Sequence, residues 1–568
     1  MEIREEIKSA VGEVLKDLGV DQFELILARN LLHGDFSTNI SLTIFHKTNQ
    51  KFANPLELAT HIAKELQQKL PNMDRIEASA PGFINFYLSG ENLLEVLDRV
   101  LSEKEKYGEG ESLEDQRIVL EFAHPNTHKL FHIGHLRNIS VGESLARLLQ
   151  FQKGKITRAN YQGDVGLHVA KAVYGLQSTD YSLGDLEKKT INEKIKFLSQ
   201  AYVDGNKAYE EDADAKIKIN EINKSLYEKD SEFSKLWEKT RSWSLEYFDE
   251  IYKRVGTKFD RLYFESEVAE DGKKIVLENL DKVFIKDDGA IIFSGENFGL
   301  HNRVFINSIG LPTYEGKDVG LAYLQVKEFA PDRIIHVVGP EQIGYFEVLF
   351  KALEEISPEF KNKQLHLEYG FVRLKEGKMS SRKGDVVEGE WLLDEAKKRL
   401  KAQFEKMDER TLEQVAVGAV KYSMLKFGRK SDITFSFEDS ISLEGNSGPY
   451  VQYSFARTQS VLAKIRNPKS EIRNKSQIPN LKLEKEEELV LRLVSQFPMI
   501  ARDSADNFAP NTLANYLFEL SQAFNNFYQN HKIIGSEKED FRLKLTSGVG
   551  QVLKNGLYLL GIEAPEKM

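Results

Sequence analysis

Apolar positions along this chain follow two periods, and the switches between them predict its elements. Glu2 to Leu18 is acidic and amphipathic at helical spacing. Leu32 to Phe45 alternates polar and apolar residues around a Gly-Asp turn, which predicts a strand. Pro55 to Leu70 reads as a helix with an acceptable proline in its first turn. Ala80 to Leu88 reads as an aromatic strand whose Phe83, Phe86 and Tyr87 belong to a core. Residues 1–112 are therefore expected to form a separate α/β domain. Over 113–388 short apolar runs alternate with helical stretches, as in a doubly wound parallel sheet. Arg117 to Phe122 has the apolar run of a buried parallel strand, and Gly134 to Leu149 follows with helical spacing. Within this region about 183–255 is charged and helical, contains Trp237 and Trp243, and reads as a scaffolding insertion. Residues 389–445 predict a helical connection. Residues 446–568 predict an α-helical bundle, with helices at Tyr450–Arg466, Glu484–Phe508, Thr512–Asn530 and Asp540–Leu560.

Composition narrows the classes. At 568 residues the chain is too long for one core. No apolar run reaches membrane-spanning length, and the acidic start lacks the form of a secretory signal. The absence of cysteine excludes disulfides and thiolate metal sites and fits a reducing compartment, so a cytoplasmic location is expected. The net charge of −10 argues against a nucleic-acid partner as a whole. Locally, however, Arg457, Lys464, Arg466, Lys469, Arg473 and Lys475 face only Glu471. Such a face can hold RNA on an acidic protein, because fields decay within ~8 Å at physiological salt. A solvated helix and loop is the competing reading.

Two motifs carry the chemistry. PNTHKLFHIGH (Pro125–His135) lies where a strand turns into a helix N-terminus, a place that favours phosphate. Gly134 leaves room for a nucleotide near the backbone. His132 and His135, three apart, share a face and can donate to phosphate oxygens. KMSSRKG (Lys378–Gly384) is a basic, glycine-containing loop that can close over a triphosphate and neutralise leaving pyrophosphate. Alone, the first could be two surface histidines and the second a solvated turn. In this order and separation they predict an ATP-handling site between two halves of a nucleotide-binding fold.

The pair resembles the HIGH and KMSKS motifs of class I aminoacyl-tRNA synthetases. Further segments narrow the resemblance to the arginyl-tRNA synthetase family and extend it over nearly the whole chain: Glu121 with Pro125, Asn126 and Lys129; QGDVG with Gly163, Asp164 and Gly166; LPTYEGKD with Tyr314 and Asp318; VVGPEQ with Gly339, Glu341 and Gln342; GPYVQYSFAR from Gly448 to Arg457; and LLGIEAPEKM. The resemblance implies a Rossmann-like catalytic domain (113–388), an N-terminal tRNA-binding α/β domain (1–112) and an anticodon-binding helical bundle (446–568). It implies activation of arginine by ATP with Mg²⁺, transfer to the 3′-terminal adenosine of tRNA(Arg), tRNA-dependent activation, and a monomer with no metal held by protein ligands.

By the same resemblance, His132, Gly134, His135, Gly339, Lys378, Met379, Ser380 and Arg382 bind ATP. Lys129, His132, His135 and Lys378 are catalytic. Glu121, Tyr314 and Asp318 hold the guanidinium, and Asn126 and Gln342 the α-amino end. Arg457, Lys464, Arg466 and Tyr528 contact tRNA. The chain departs from the family at Ser381, where a second motif lysine is usual, and Lys129 is expected to supply the missing charge. Val165 and His168 replace the frequent Trp and Gln. Small nucleotidylyltransferases share HxGH but lack the KMS loop and the bundle. A non-catalytic paralogue would usually lose a motif, and the Tyr314/Asp318 pair argues against glutamyl and cysteinyl enzymes.

Overall fold

The computed structural model describes residues 3–16, 23–28, 33–47, 51–178, 183–228, 233–375, 387–465 and 482–568. Helix α1 (Ile3–Leu15) leads into β1 (Ile26–Leu27), β2 (Phe36–Thr38), α2 (Ile40–Ile44), α3 (Pro55–Lys69), β3 (Met73–Ser79) and β4 (Phe83–Leu88). The strands form an antiparallel sheet, β1-β2-β4-β3. Asn54 caps α3 by accepting from the Glu57 N–H, with Pro55 in the first turn. The alternation across Leu32–Phe45 does not become one strand: only Phe36–Thr38 pairs, and α2 follows. All three paired residues are buried, so this stretch has no solvent face for the alternation to mark.

Helix α4 (Gly90–Glu103) precedes β5 (Arg117–Glu121), α5 (Ile133–Phe151), β6 (Lys155–Gln162) and α6 (Leu167–Gln177). Helices α7 (Leu183–Glu187), α8 (Ile191–Glu211), α9 (Ala213–Glu228) and α10 (Ser234–Arg254) make up the insertion. Then come β7 (Arg261–Phe264), α11 (Glu265–Glu278), β8 (Ile285–Asp287), β9 (Ala290–Phe293), β10 (Arg303–Ile306), α12 (Tyr314–Phe329), β11 (Arg333–Val338), α13 (Ile343–Ile356), β12 (Gln364–Glu368) and β13 (Val372–Leu374). The central sheet is parallel in the order β12-β11-β5-β6-β7. From β5 the chain winds to β6 and β7 on one side and later to β11 and β12 on the other. The carboxyl ends of β5 and β11 therefore border the crevice where open α/β sheets bind ligands. Strands β8–β10 form a small antiparallel sheet with its own core around Phe284, Phe293 and Phe305.

Helices α14 (Gly389–Gln403) and α15 (Glu409–Leu425) follow, then β14 (Ile433–Phe435) and α16 (Phe437–Ile441). The connection is thus not wholly helical, because β14 pairs in parallel with β13. Helices α17 (Gly448–Ala463), α18 (Lys485–Asp506), α19 (Pro510–Asn530) and α20 (Glu539–Leu559) form the C-terminal bundle, on which α4 also packs. Tyr516, Phe524 and Phe527 fill its core. Helix α5 is buried on nearly all sides. Ser144 donates to the Leu559 carbonyl at 3.0 Å, and Arg147 to the carbonyls of Tyr558 and Gly256 at 2.9 Å each. Buried Lys421 donates to the carbonyls of Val255 and Gly561. The helix that opens with the HIGH segment is therefore fastened to the bundle at its far end.

Candidate active site

The loop between β5 and α5 lies at the carboxyl edge of the sheet and is held against its preferences. Ala123, His124 and His128 have φ of 82°, 49° and 64°, each costing ~1–3 kcal/mol unless the surroundings impose it. Here they do. Asn138 of α5 accepts the Ala123 N–H at 2.7 Å, Asn160 of β6 the His124 N–H at 3.2 Å, and Ser244 of α10 the His128 N–H at 3.0 Å. The buried His128 ring sits between the hydroxyls of Thr127 and Thr240, at 3.0 and 2.8 Å. Burial, helped by Arg241, lowers its pKa to about 3.

At the start of α5 the rings of His132 and His135 stack with centroids 3.7 Å apart. The His132 N–H donates to His135 Nδ1 at 3.1 Å, which leaves the proton of a neutral His135 on Nε2, free to donate. Desolvation, then the charge of Lys129, lowers the His132 pKa to about 4. Desolvation and His132 hold His135 well below the usual value. Both are neutral donors at pH 7. A side chain at Gly134 would place its Cβ 3.0 Å from the His132 ring. Glycine there keeps the stack intact as well as leaving space for a ligand.

Across the crevice the side chains are acidic. Glu121 closes β5 directly opposite His336 of β11. It accepts from Gln325 at 2.6 Å and lies 3.2 Å from His336 Nδ1. Burial alone would raise the Glu121 pKa, but the charge and hydrogen bond of His336 outweigh it and lower it. Tyr314 and Asp318 share one face at the start of α12. Tyr314 is 57% exposed, while Asp318 is partly buried and accepts from Tyr345. Desolvation, reinforced by Glu121 and Glu265 against the Tyr345 bond, raises Asp318 to about 7. Between these acids the Tyr161 hydroxyl is buried with no hydrogen-bond partner among the described residues.

Other expected residues take varied places. Asn126 bridges to Gly163 beside β6, and its side chain occupies the space a Cβ on Gly163 would need. Gly339 is buried at the end of β11, and Gln342 is exposed three residues on. His168 is neutral, its pKa lowered to about 3 by burial and Lys129, and contacts the Gly163 carbonyl at 3.3 Å. Asp164 accepts from Arg241 and from the Ser266 hydroxyl, both at 2.7 Å. Lys378, Met379, Ser380, Ser381 and Arg382 lie outside the described residues, as does Arg466. In the bundle, Arg457 donates to Asn525 at 2.6 Å and to Tyr453 at 3.0 Å, and stacks 5.0 Å from Tyr528. Lys464 is exposed, and Tyr528 is 36% exposed.

The region 96–437 matches the family described as "tRNA synthetases class I (R), catalytic domain". Residues 1–88 match "Arginyl tRNA synthetase N terminal domain", and 451–568 match "DALR anticodon binding domain". The chain belongs to the arginyl-tRNA synthetase family. An arginine–tRNA ligase of Phocaeicola vulgatus is 30% identical with 100% of both chains covered. One from Treponema denticola is 34% identical over 93% of each. The arginyl-tRNA synthetase of Thermus thermophilus shares the fold, with a TM-score of 0.81 at 24% identity over 100% of both chains. That of Plasmodium falciparum gives 0.79 at 24% identity over 99% of each. The fold is therefore the α/β class I arrangement, with an N-terminal α/β domain and a helical C-terminal region.

Sequence reading did not single out several residues that the fold brings here. Glu265 opens α11, is 4% exposed and is paired with buried Lys317 of α12. Burial, only partly offset by Lys317, raises the Glu265 pKa. Tyr345 and Tyr161 join the same cluster. No spacing in the sequence links these residues to Asp318; only the packing of β6, α11 and α13 around the start of α12 does so. Adjacency of Lys317 to Asp318 was the one available signal.

Proposed function

We infer that the protein ligates arginine to tRNA in two steps. The arginine carboxylate attacks the α-phosphorus of ATP, giving arginyl-adenylate and pyrophosphate. The 3′-terminal adenosine of tRNA(Arg) then takes the arginyl group. Neither step needs a covalent enzyme intermediate, so the side chains position groups and stabilise charge. His132 and His135 donate neutral hydrogen bonds to ATP near the N-terminus of α5, where the helix dipole adds attraction. Lys129 supplies positive charge in the transition state, and Lys378 meets the pyrophosphate. Mg²⁺ enters with the triphosphate as part of the substrate.

The observation that carries the amino-acid choice is the unpartnered Tyr161 hydroxyl among Glu121, Glu265 and Asp318. A guanidinium is a planar fork of donors suited to carboxylates. Asp318 and Tyr314, with Glu265 and Glu121 nearby, suit its positive end, and Asn126 and Gln342 take the α-amino end. Lysine or citrulline would leave buried groups unpaired, so rejection needs no editing domain. Gly339, Met379, Ser380 and Arg382 complete the ATP set. Exposed Lys464, with Arg457, Arg466 and Tyr528, forms the bundle's tRNA face. The units 1–112, 113–388, 389–445 and 446–568 then serve tRNA docking, chemistry, connection and anticodon binding in a cytoplasmic monomer. Charging total tRNA with each of the twenty amino acids tests the assignment: arginine alone should be attached. Pyrophosphate exchange with arginine and ATP but no tRNA should stay near background. Attachment of another amino acid, or of none, would overturn the reading.

A further inference from the structure

The helical insertion reads from sequence as scaffold. Its contacts point elsewhere. Lys129 stands between the strained loop and α5, and its ammonium lies 4.4 Å from the centre of the Tyr202 ring on α8. Among the described residues no carboxylate lies within ion-pair distance of that ammonium. Among those residues the only close aromatic face is supplied by the insertion, and its quadrupole attracts a cation. A residue that is to lend charge to a phosphate must not already be neutralised by an acid. It must also not roam, since a lysine stem carries ~2 kcal/mol of rotamer entropy. A ring meets both needs, because it orients the ammonium and leaves the charge whole.

Tyr202 is itself fixed. Helices α6 and α8 cross with their backbones in contact. A Cβ on Gly175 of α6 would lie 2.0 Å from the Ala201 carbonyl oxygen, and one on Gly205 of α8 would lie 1.9 Å from that of Lys171. Tyr202 sits between these two contacts. Helix α6 starts at the QGDVG turn, whose Gly163 faces Asn126. The position of the ring is therefore tied to the floor of the site. On the other side, α10 holds the residue before Lys129: Ser244 accepts the His128 N–H, and Thr240 meets its ring. The insertion grips the backbone of this lysine with one helix and orients its ammonium with another. It reaches the acidic end too, where the charge of Lys317 acts on the Tyr227 hydroxyl of α9.

We propose that Tyr202 is a positioning residue for arginine activation: its ring holds the Lys129 ammonium at the nucleotide, which makes the helical insertion a working part of the active site. This rests on the reading that Lys129 acts on ATP. The experiment is a double-mutant cycle on the full-length enzyme with tRNA present, read by pyrophosphate exchange. The variants are Lys129→Ala, Tyr202→Leu, Tyr202→Phe and the double Lys129→Ala/Tyr202→Leu, each checked for an unchanged melting temperature.

Tyr202→Leu should lower kcat by roughly 10-fold, the scale of a partly desolvated cation–π contact, with the arginine KM nearly unchanged. Tyr202→Phe keeps the ring and should restore most of the rate. In the Lys129→Ala background Tyr202→Leu should have no further effect. An equal loss from Tyr202→Leu in both backgrounds, or a Phe variant as damaged as Leu, would overturn the proposal. A silent Lys129→Ala would instead remove the role given to Lys129, which the cycle separates from the role given to Tyr202.

Discussion

At the histidine end of the crevice burial strips charge away, whereas at the acidic end three carboxylates persist close together inside a network of partners. His132, His135 and His168 all titrate well below neutrality, and Lys129 is the cation among them. Opposite them, Glu121 keeps its charge through His336 and Gln325, while burial pushes Glu265 and Asp318 upward, with Asp164 adding to the first and Glu121 and Glu265 to the second. On the proposed assignment, with ATP at the histidine end and arginine at the acidic end, the difference follows from the ligands. A triphosphate brings abundant negative charge and its own cation, so neutral donors and one well-placed ammonium suffice. A guanidinium brings one diffuse positive charge and must be recognised against similar side chains, which calls for several acids gathered around it.

The sharpest way to break this contrast is Asp318→Asn. Removing one charge-assisted partner should cost ~2–4 kcal/mol in arginine kcat/KM. The ATP KM should move little. Steady-state exchange kinetics with each substrate varied would expose the error: an unchanged arginine kcat/KM places Asp318 outside the pocket. Next in size, Lys129→Ala should reduce kcat for adenylate formation by about 10²-fold, or ~3 kcal/mol, as expected for loss of one preorganised charge. The arginine KM should stay near wild type, and adding Ser381→Lys should restore part of the rate. If the second lysine gives no rescue, the two positions do not share a role.

The third prediction uses pH. Asp318 titrates at about 7 in the free protein, and guanidinium binding favours its ionised form. Arginine affinity should therefore fall as pH drops through 7, by about tenfold per unit well below it. The ATP KM should be flat from pH 8 to about 5.5, because His132 and His135 are neutral throughout. Parallel pH profiles for the two substrates would erase the contrast. The smallest effect is expected for His168→Gln. The ring is neutral and meets one carbonyl, so an amide N–H can replace it. Less than about threefold change in either KM is expected, consistent with a net hydrogen-bond worth of ~1 kcal/mol.

Much of this was legible beforehand, because local patterns and local geometry coincide at the crevice. The apolar run Arg117–Phe122 became β5, the helical spacing after Gly134 became α5, and the motif between them lies at the edge of the sheet. Tyr314 and Asp318, four apart, share a helical face as their spacing demands. Legibility failed where long-range contact decides. The Leu32–Phe45 alternation misled because covering on both faces leaves period two without meaning. Glu265 and Tyr161 were invisible because nothing near them in sequence marks a shared cavity. The insertion reads from sequence as scaffold because the crossing of α6 and α8 is a long-range contact that no local pattern marks.

That contact restricts which genetic changes the enzyme can absorb. Gly175 and Gly205 are 30 positions apart and are not proposed to touch substrate, yet each already presses backbone on backbone. From glycine every other amino acid adds at least a Cβ, so neither site has a mild replacement available. A methyl group at either would open the crossing like a wedge, and Tyr202, beside the Ala201 contact and one turn before Gly205, would ride outward with its helix. Directed evolution of this chain should therefore find broad freedom on the outer faces of α8 and almost none at these two codons.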